Sequence, residues 1–494
     1  MLISRRSLIA GALAAPFLAR PQAVLAAFRP SEFGAAMDGA ADDAPALGRL
    51  VAAAAKAGRR AEIPAGDYVI GSNAFSASGL GRVEIACEDG VRFVNAGRLF
   101  DDAGGGQAKR VPWSIGFDGC DEVRWSGGRI VTTGGRLRGR GVGVFTLENH
   151  GERRPVLNVE RCGVFSAERL TLEGDPGPAL NMEAQPWAAA IDAPQRLRLI
   201  LGNAFFRARD CRSVRLADCA LAPNACAREQ WTMVDCGRVE IRGLTSRSTE
   251  SNFASLAKII RCGEVDVSEI DVADPGSGSL VDVIADRFRY HAVRIDYPNG
   301  KLLDVSREWG DLNAPIGEGV IANCRTNGWG VVSVRGRSDE RQVAGAPIGS
   351  IRIVDTEFSL AGDRSGDKRP PAAFRLGGVD ALTVENCRFT NVAFDGAPSA
   401  RPSRLALTGC RFEWTSAATT PSRAIRTGVP TVYDGVSFAG VGEGRGQNLF
   451  FTTMKDTPGR HAFTRCAFRD LVLRTRGDVA FEDCTFENVE RRPI

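Results

Sequence analysis

Residues 211–267 carry one phrase three times: CRSVRL at 211–216, CGRVEI at 236–241 and CGEVDV at 262–267. The cysteines that open these phrases, Cys211, Cys236 and Cys262, stand 25 and 26 residues apart. Within each phrase the apolar residues fall at every second position, which is the period of a strand rather than a helix. Upstream, Cys120 opens CDEVRW in the same manner. Downstream a second register appears in VDTEF, VENCRF, LTGCRF, YDGVSF, FTRCAF and FEDCTF, which end at Phe358, Phe389, Phe412, Phe438, Phe468 and Phe486. Their intervals are 31, 23, 26, 30 and 18 residues.

A variable period built of two-residue alternation, with no helical stripe, predicts a stacked β-solenoid. Each coil then lays short strands about 4.8 Å from those of the next coil, and inward residues at one position stack into ladders. The recurring Cys and Phe read as small and large apolar fillers of those ladders. Neighbouring ladder cysteines are expected to stay unpaired, because parallel side chains one strand apart fit disulfide geometry poorly.

The repeat also accounts for the length. A chain of 494 residues ordinarily suggests about three domains, but one elongated all-β solenoid over residues 73–494 absorbs it. The 13 cysteines include no pair at CxxC spacing, and the chain is too long for a disulfide miniprotein. Hydrophobic residues at 44% and charged ones at 25% exclude a disordered tail or a membrane bundle.

The N-terminal 26 residues, MLISRRSLIAGALAAPFLARPQAVLA, put two arginines before a mildly apolar run and end in a small-residue cleavage site near Ala26. They resemble a twin-arginine export signal with Ser4-Arg5-Arg6-Ser7-Leu8-Ile9 as its core. The expected partner during export is the twin-arginine translocase, and the expected location is the bacterial periplasm or beyond. The apolar run is short for a spanning helix, and no later stretch approaches 18 apolar residues, so no membrane span is expected in the mature chain. Removing Arg5, Arg6 and Arg20 from 63 basic residues leaves 60 against 59 acids, a net of +1. Such a balance argues against a sequence-independent grip on nucleic acid.

Residues 27–72 read as a cap. Asp42-Asp43-Ala44-Pro45 is a helix entry, Leu47, Leu50, Val51 and Ala54 share one face of a helix over 43–57, and Gly58 is a natural stop. The following AEIPAGDYVIGS is a strand broken at Pro64-Ala65-Gly66. Phe33-Gly34-Ala35, Asp38-Gly39, Asp42-Asp43 and Ile63-Pro64-Ala65-Gly66-Asp67-Tyr68 together resemble the N-terminal signature of the pectate-lyase and polygalacturonase superfamily. That resemblance implies a right-handed, single-stranded parallel β-helix with an N-terminal capping helix. It also implies a polysaccharide substrate or ligand. The polygalacturonase patterns Asn-Thr-Asp, Asp-Asp, Gly-His-Gly and Arg-Ile-Lys are absent as a set.

Aligning the coils on their repeats points to a candidate site. SLAKIIRC, SLVDVIAD and KLLDVSRE begin at Ser255, Ser279 and Lys301, which sets Lys258, Asp282 and Asp304 at equivalent positions. The alternating partners Ala257 and Ile259, Val281 and Val283, and Leu303 and Val305 form an inward face, so the charged column is expected outside and exposed. Aligning backward on the cysteines adds Thr232 and Arg207. A Lys or Arg beside paired carboxylates can neutralise a uronate carboxylate or take its C5 proton, as a β-eliminating lyase or C5 epimerase requires. The same two acids could instead serve a glycoside hydrolase or share a Ca²⁺ ion. No other cofactor is implied, and the oligomeric state is not legible.

Downstream, ADRFRYHAVRIDYPNG holds Tyr290 and His291, in a chain with four Tyr and three His, flanked by Arg287, Arg289 and Arg294. Tyr290 and His291 are candidate acid and base, and Arg287 and Arg294 candidate carboxylate ligands. Trp309, with Trp187 and Trp329, could stack on sugar faces, and His150 is a weaker candidate in a loop-like segment. The functional expectation is an exported protein acting on an acidic polysaccharide by β-elimination or C5 epimerisation. A non-catalytic polysaccharide-binding or assembly protein of the cell envelope is the alternative, and a glycoside hydrolase the third reading.

Overall fold

The computed structural model describes residues 28–95, 98–101, 108–111, 114–133, 155–175, 204–223, 229–246, 255–273, 279–296, 301–306, 317–327, 332–335, 348–359, 372–377, 379–396, 404–415, 425–426, 430–440, 448–452, 460–476 and 478–493. The chain winds as a right-handed parallel β-helix whose coils each present three short strands. Wall 1 contains Ile115–Asp118, Leu157–Glu160, Ala204–Arg209 and Glu229–Val234. Wall 2 follows in each coil with Glu122–Ser126, Val164–Glu168, Ser213–Ala217 and Arg238–Arg242. Wall 3 closes it with Arg129–Thr133, Thr171–Asp175, Ala220–Leu221 and Thr245–Ser246. Ser255–Ser268 and Ser279–His291 run through walls 1 and 2 without a break, and their pairing shifts register at the corner between Ile260 and Cys262.

The sequence builds the corners with a two-residue device. One residue enters the left-handed region, and the next buries its side chain. Asp210, Asp235 and Arg261, at φ 53, 54 and 52, precede Cys211, Cys236 and Cys262 between walls 1 and 2. Between walls 2 and 3, Asp218, Asn323, Asn386 and Arg465 do the same for Cys219, Cys324, Cys387 and Cys466. A non-glycine residue there costs roughly 1 kcal/mol or more. The cost is offset because the corner keeps its pairing with the next coil: Asp235 N donates to Ile260 O at 3.0 Å and Gly237 N to Cys211 O at 2.9 Å.

Cys120, Cys162, Cys211, Cys236 and Cys262 thus form one ladder of buried thiols, each with its Sγ against backbone carbonyl oxygens. All twelve described cysteines are free thiols, and ten of them are buried. The six phenylalanines of the downstream register form another ladder. Successive ring centroids from Phe358 to Phe486 lie 5.2, 4.4, 5.1, 5.1 and 5.1 Å apart and nearly parallel.

The two ends are closed differently. At the N-terminus the helix α1, Ala44–Lys56, turns Leu47, Leu50, Val51 and Ala54 onto the first coil. Gly58, at φ 61, ends it. Asp43 does not cap the helix with its side chain. Its Oδ1 instead accepts from Ala36 N at 2.7 Å, while Asp42 Oδ1 accepts from Ala44 N at 3.1 Å and Gly71 N at 2.9 Å. Tyr68 is buried and donates its hydroxyl to Pro64 O at 2.9 Å. At the C-terminus the partly buried Phe481, Phe486 and Val489 finish the core. Arg491 lies there in register with buried Leu473, its guanidinium 4.9 Å from the ring centroids of both Phe481 and Phe486.

Candidate functional site

Strand pairing places the charged column in one line along wall 1. Arg207 pairs with Thr232, Thr232 with Lys258, Lys258 with Asp282 and Asp282 with Asp304. The line extends through Asn158, Gly116 and Ser76 in one direction and through Ser333, Arg375, Asp395 and Arg426 in the other. For Asp282, Asp304 and the positions after them only the strand position is described.

The expected open surface is corrected. Thr232 is 0% and Lys258 1% exposed, so this stretch of the column is withdrawn from solvent. Its neighbours on the same side, Val234, Leu256 and Ile260, are buried too, while Trp231, Met233, Ala257 and Ile259 fill the other side. Strands dry on both faces read as near-continuous apolar runs. The runs WTMV at 231–234 and LAKII at 256–260 are of that kind.

Arg207 sits at the rim of this dry stretch, with its side chain 13% exposed. Its Nε donates to Asn158 Oδ1 at 3.0 Å and its Nη2 to Glu160 Oε1 at 2.7 Å. Burial works to raise the Glu160 pKa, but the Arg207 charge and the Asn158 hydrogen bond leave it below the usual carboxylate value. Asn158 and Glu160 were not among the sequence candidates. A simple signal finds Asn158: it precedes Cys162 by four residues, as Arg207, Thr232 and Lys258 precede Cys211, Cys236 and Cys262. One rung on from Arg207, the buried Oγ1 of Thr232 has no hydrogen-bond partner.

The downstream candidates are not brought to this column. Tyr290 is corrected from acid–base candidate to core residue: it is fully buried and meets Phe288 edge-on at 5.8 Å. His291 faces the other side of wall 2, where Asn323 Nδ2 stands 3.2 Å from its Nε2. Regular alternation separates these adjacent side chains, so they share no site. Arg287 is exposed on wall 2 and ion-paired with Glu264 of the preceding coil. Arg294 is exposed on wall 3, between Asp271 and Arg325 in register. Both lie around a corner from Lys258. Trp309, Trp187, Trp329 and His150 lie outside the described residues.

No group of three or more His, Cys, Asp or Glu among the described residues could hold a metal ion. The possible Ca²⁺ ligands Asp282 and Asp304 are described by strand position alone.

No family model and no curated protein matches the chain. Among solved structures it is similar to PfbA, a surface adhesin of Streptococcus pneumoniae, at 11% identity and a TM-score of 0.37 over 94% of this chain and 93% of that one. A family 28 exopolygalacturonase of Yersinia enterocolitica aligns at 12% identity and a TM-score of 0.36, over 94% and 79%. The A-module of the mannuronan C-5 epimerase AlgE4 of Azotobacter vinelandii aligns at 13% and 0.30, over 94% and 97%. Likeness at this level does not reach function, and the fold rests on the coil geometry itself.

Proposed function

We propose that the protein is exported to the periplasm or beyond and acts on an acidic polysaccharide at wall 1, by β-elimination or C5 epimerisation of uronate residues. One observation carries the reading: Lys258, Asp282 and Asp304 occupy consecutive rungs of a single line, with Arg207 fixed two rungs before Lys258. The unpartnered Thr232 hydroxyl between Arg207 and Lys258 supports it, because an orphaned buried donor is a group that a ligand oxygen would satisfy.

Both reactions start alike. A cation neutralises the uronate carboxylate, which makes the C5 proton acidic, and a base removes that proton. In elimination the C4–O bond then breaks, a C4–C5 double bond forms and the departing oxygen takes up a proton. In epimerisation a proton returns to C5 from the opposite face. Arg207 is assigned to the carboxylate, Lys258 to the proton transfer and the Asp pair to holding Lys258 and the ring hydroxyls.

The test is incubation of the purified protein with a panel of uronate polymers, with and without chelator. Ultraviolet-absorbing unsaturated ends mark a lyase, and exchange of the C5 hydrogen with solvent marks an epimerase. New reducing ends without unsaturation mark a hydrolase. Lys258→Met, checked for an unchanged far-ultraviolet spectrum, is expected to lower turnover about 10²- to 10⁴-fold. Unchanged turnover removes Lys258 from the chemistry. The burial of Lys258 favours a second reading, a binding or assembly protein of the cell envelope. Polymer binding without any of the three products selects it.

A further inference from the structure

The thirteen cysteines are more than the proposed site needs, and their placement bears on where the chain folds. Five thiols stack in sequence along one corner, from Cys120 to Cys262, and Cys219, Cys324, Cys387, Cys410 and Cys466 are buried at the other. Each Sγ lies against backbone carbonyls: Cys211 against Arg209 O at 3.3 Å, Cys236 against Val234 O at 3.4 Å, Cys466 against Thr464 O at 3.4 Å. Only Cys87 and Cys484 among the described cysteines are partly accessible. In the folded chain, burial holds Cys219 at a pKa of about 12 and Cys324 and Cys466 at about 11.

The unfolded chain is chemically a different object. Its thiols have pKa values near 8.5, so at pH 7.5 roughly a tenth are thiolate, and all are accessible. At Cys219, Cys324 and Cys466 the reactive fraction is then at least about a hundredfold larger than in the fold. Thirteen thiols spaced along 494 residues can pair in a very large number of ways, and no described cysteine is paired in the fold. Any disulfide among the buried cysteines is therefore a misfolding lesion.

We infer that the solenoid is a thiol-protecting fold that must close in a reducing compartment before the chain meets a disulfide-forming oxidant. The partner this requires is a translocase that carries folded proteins, and the Arg5-Arg6 leader fits it. A secretion route that threads the chain unfolded would expose it to the oxidising side first. There two thiols would give up two electrons and two protons to the disulfide of a thiol–disulfide oxidase, forming one S–S bond and leaving the oxidase as a dithiol. This inference does not depend on the proposed polysaccharide activity.

The first test adds a periplasmic-type dithiol oxidase to the purified full chain, either folded or unfolded in urea, then counts alkylated thiols by mass after denaturation. The folded chain is expected to keep at least ten free thiols, and the unfolded chain to lose most of them. Equal loss in the two states overturns the inference. The second test is in cells. Arg5→Lys with Arg6→Lys should stop export and leave folded, free-thiol protein in the cytoplasm. The same chain behind a leader for unfolded export should gather as disulfide-linked, protease-sensitive species where the oxidase is present, and as free-thiol species where it is deleted. Folded, free-thiol protein delivered by that leader alongside the oxidase overturns the inference, as does undiminished export of the double-lysine variant.

Discussion

Ala292 holds φ at 53 without a side chain to stabilise it, at a corner where neighbouring coils place Asn323 or Glu269. Its backbone is fixed by the hydrogen bond from Ala292 N to Ala322 O at 3.2 Å, so the conformation is imposed by the stack. Ala292→Gly is therefore expected to raise stability by about 1 kcal/mol, read as a higher urea midpoint at unchanged slope. The same scale explains what was legible at the site. The cysteine offset of four residues aligned Arg207, Thr232 and Lys258 correctly, because every coil repeats one corner. The apolar face formed by Ala257 and Ile259, Val281 and Val283, and Leu303 and Val305 speaks for one side of the strand only. Leu256 and Ile260, on the side of Lys258, are equally apolar, and a strand with two apolar faces has no wet one.

At the scale of an element, the phenylalanine ladder was readable in full because each ring ends a strand phrase of its own, independent of loop length. Its rings differ in how completely they are enclosed. Phe412 lies between Phe389 at 4.4 Å and Phe438 at 5.1 Å, whereas Phe486 meets Phe468 on one side and lies under Arg491. Phe412→Ala is expected to cost about 3–5 kcal/mol and Phe486→Ala clearly less. Denaturation of the two variants side by side checks the order. The connections between strands were not readable in this way. The interval between ladder rings ranges from 18 to 31 residues because turns of different length leave the same stack. Side chains such as Trp309 therefore had no register to be placed by.

Over the whole molecule, the buried thiols act together. Cys211, Cys219 and Cys236 are held near a pKa of 12, and Cys162, Cys324 and Cys466 near 11. Burial is the main cause at Cys219, Cys324 and Cys466. In the ladder, the neighbouring thiols act in opposite directions, and together with burial they leave Cys162, Cys211 and Cys236 raised. An acid with a raised folded pKa binds its proton more tightly when folded, so stability is complete below about pH 8.5 and falls as pH rises toward 11. Each thiol whose pKa is raised contributes to that loss by at most about 1.4 kcal/mol per pH unit. Unfolding followed by circular dichroism is expected to be steep between about pH 9 and 10.5. Cys211→Ala with Cys236→Ala should flatten the slope, and an unchanged profile in that variant would show that the ladder does not govern it.

A stack of identical rungs carries no instruction about when to stop. Every coil presents the next with unpaired backbone groups and an apolar cross-section, the same surfaces that already join its neighbours. The helix α1 covers the apolar cross-section of the first described coil, and on the last described coil the Arg491 guanidinium rests on Phe481 and Phe486. Arg491→Leu is expected to expose the rings of Phe481 and Phe486 and to give concentration-dependent end-to-end species, visible by sedimentation. The guanidinium thus works against the same pairing that builds the coils.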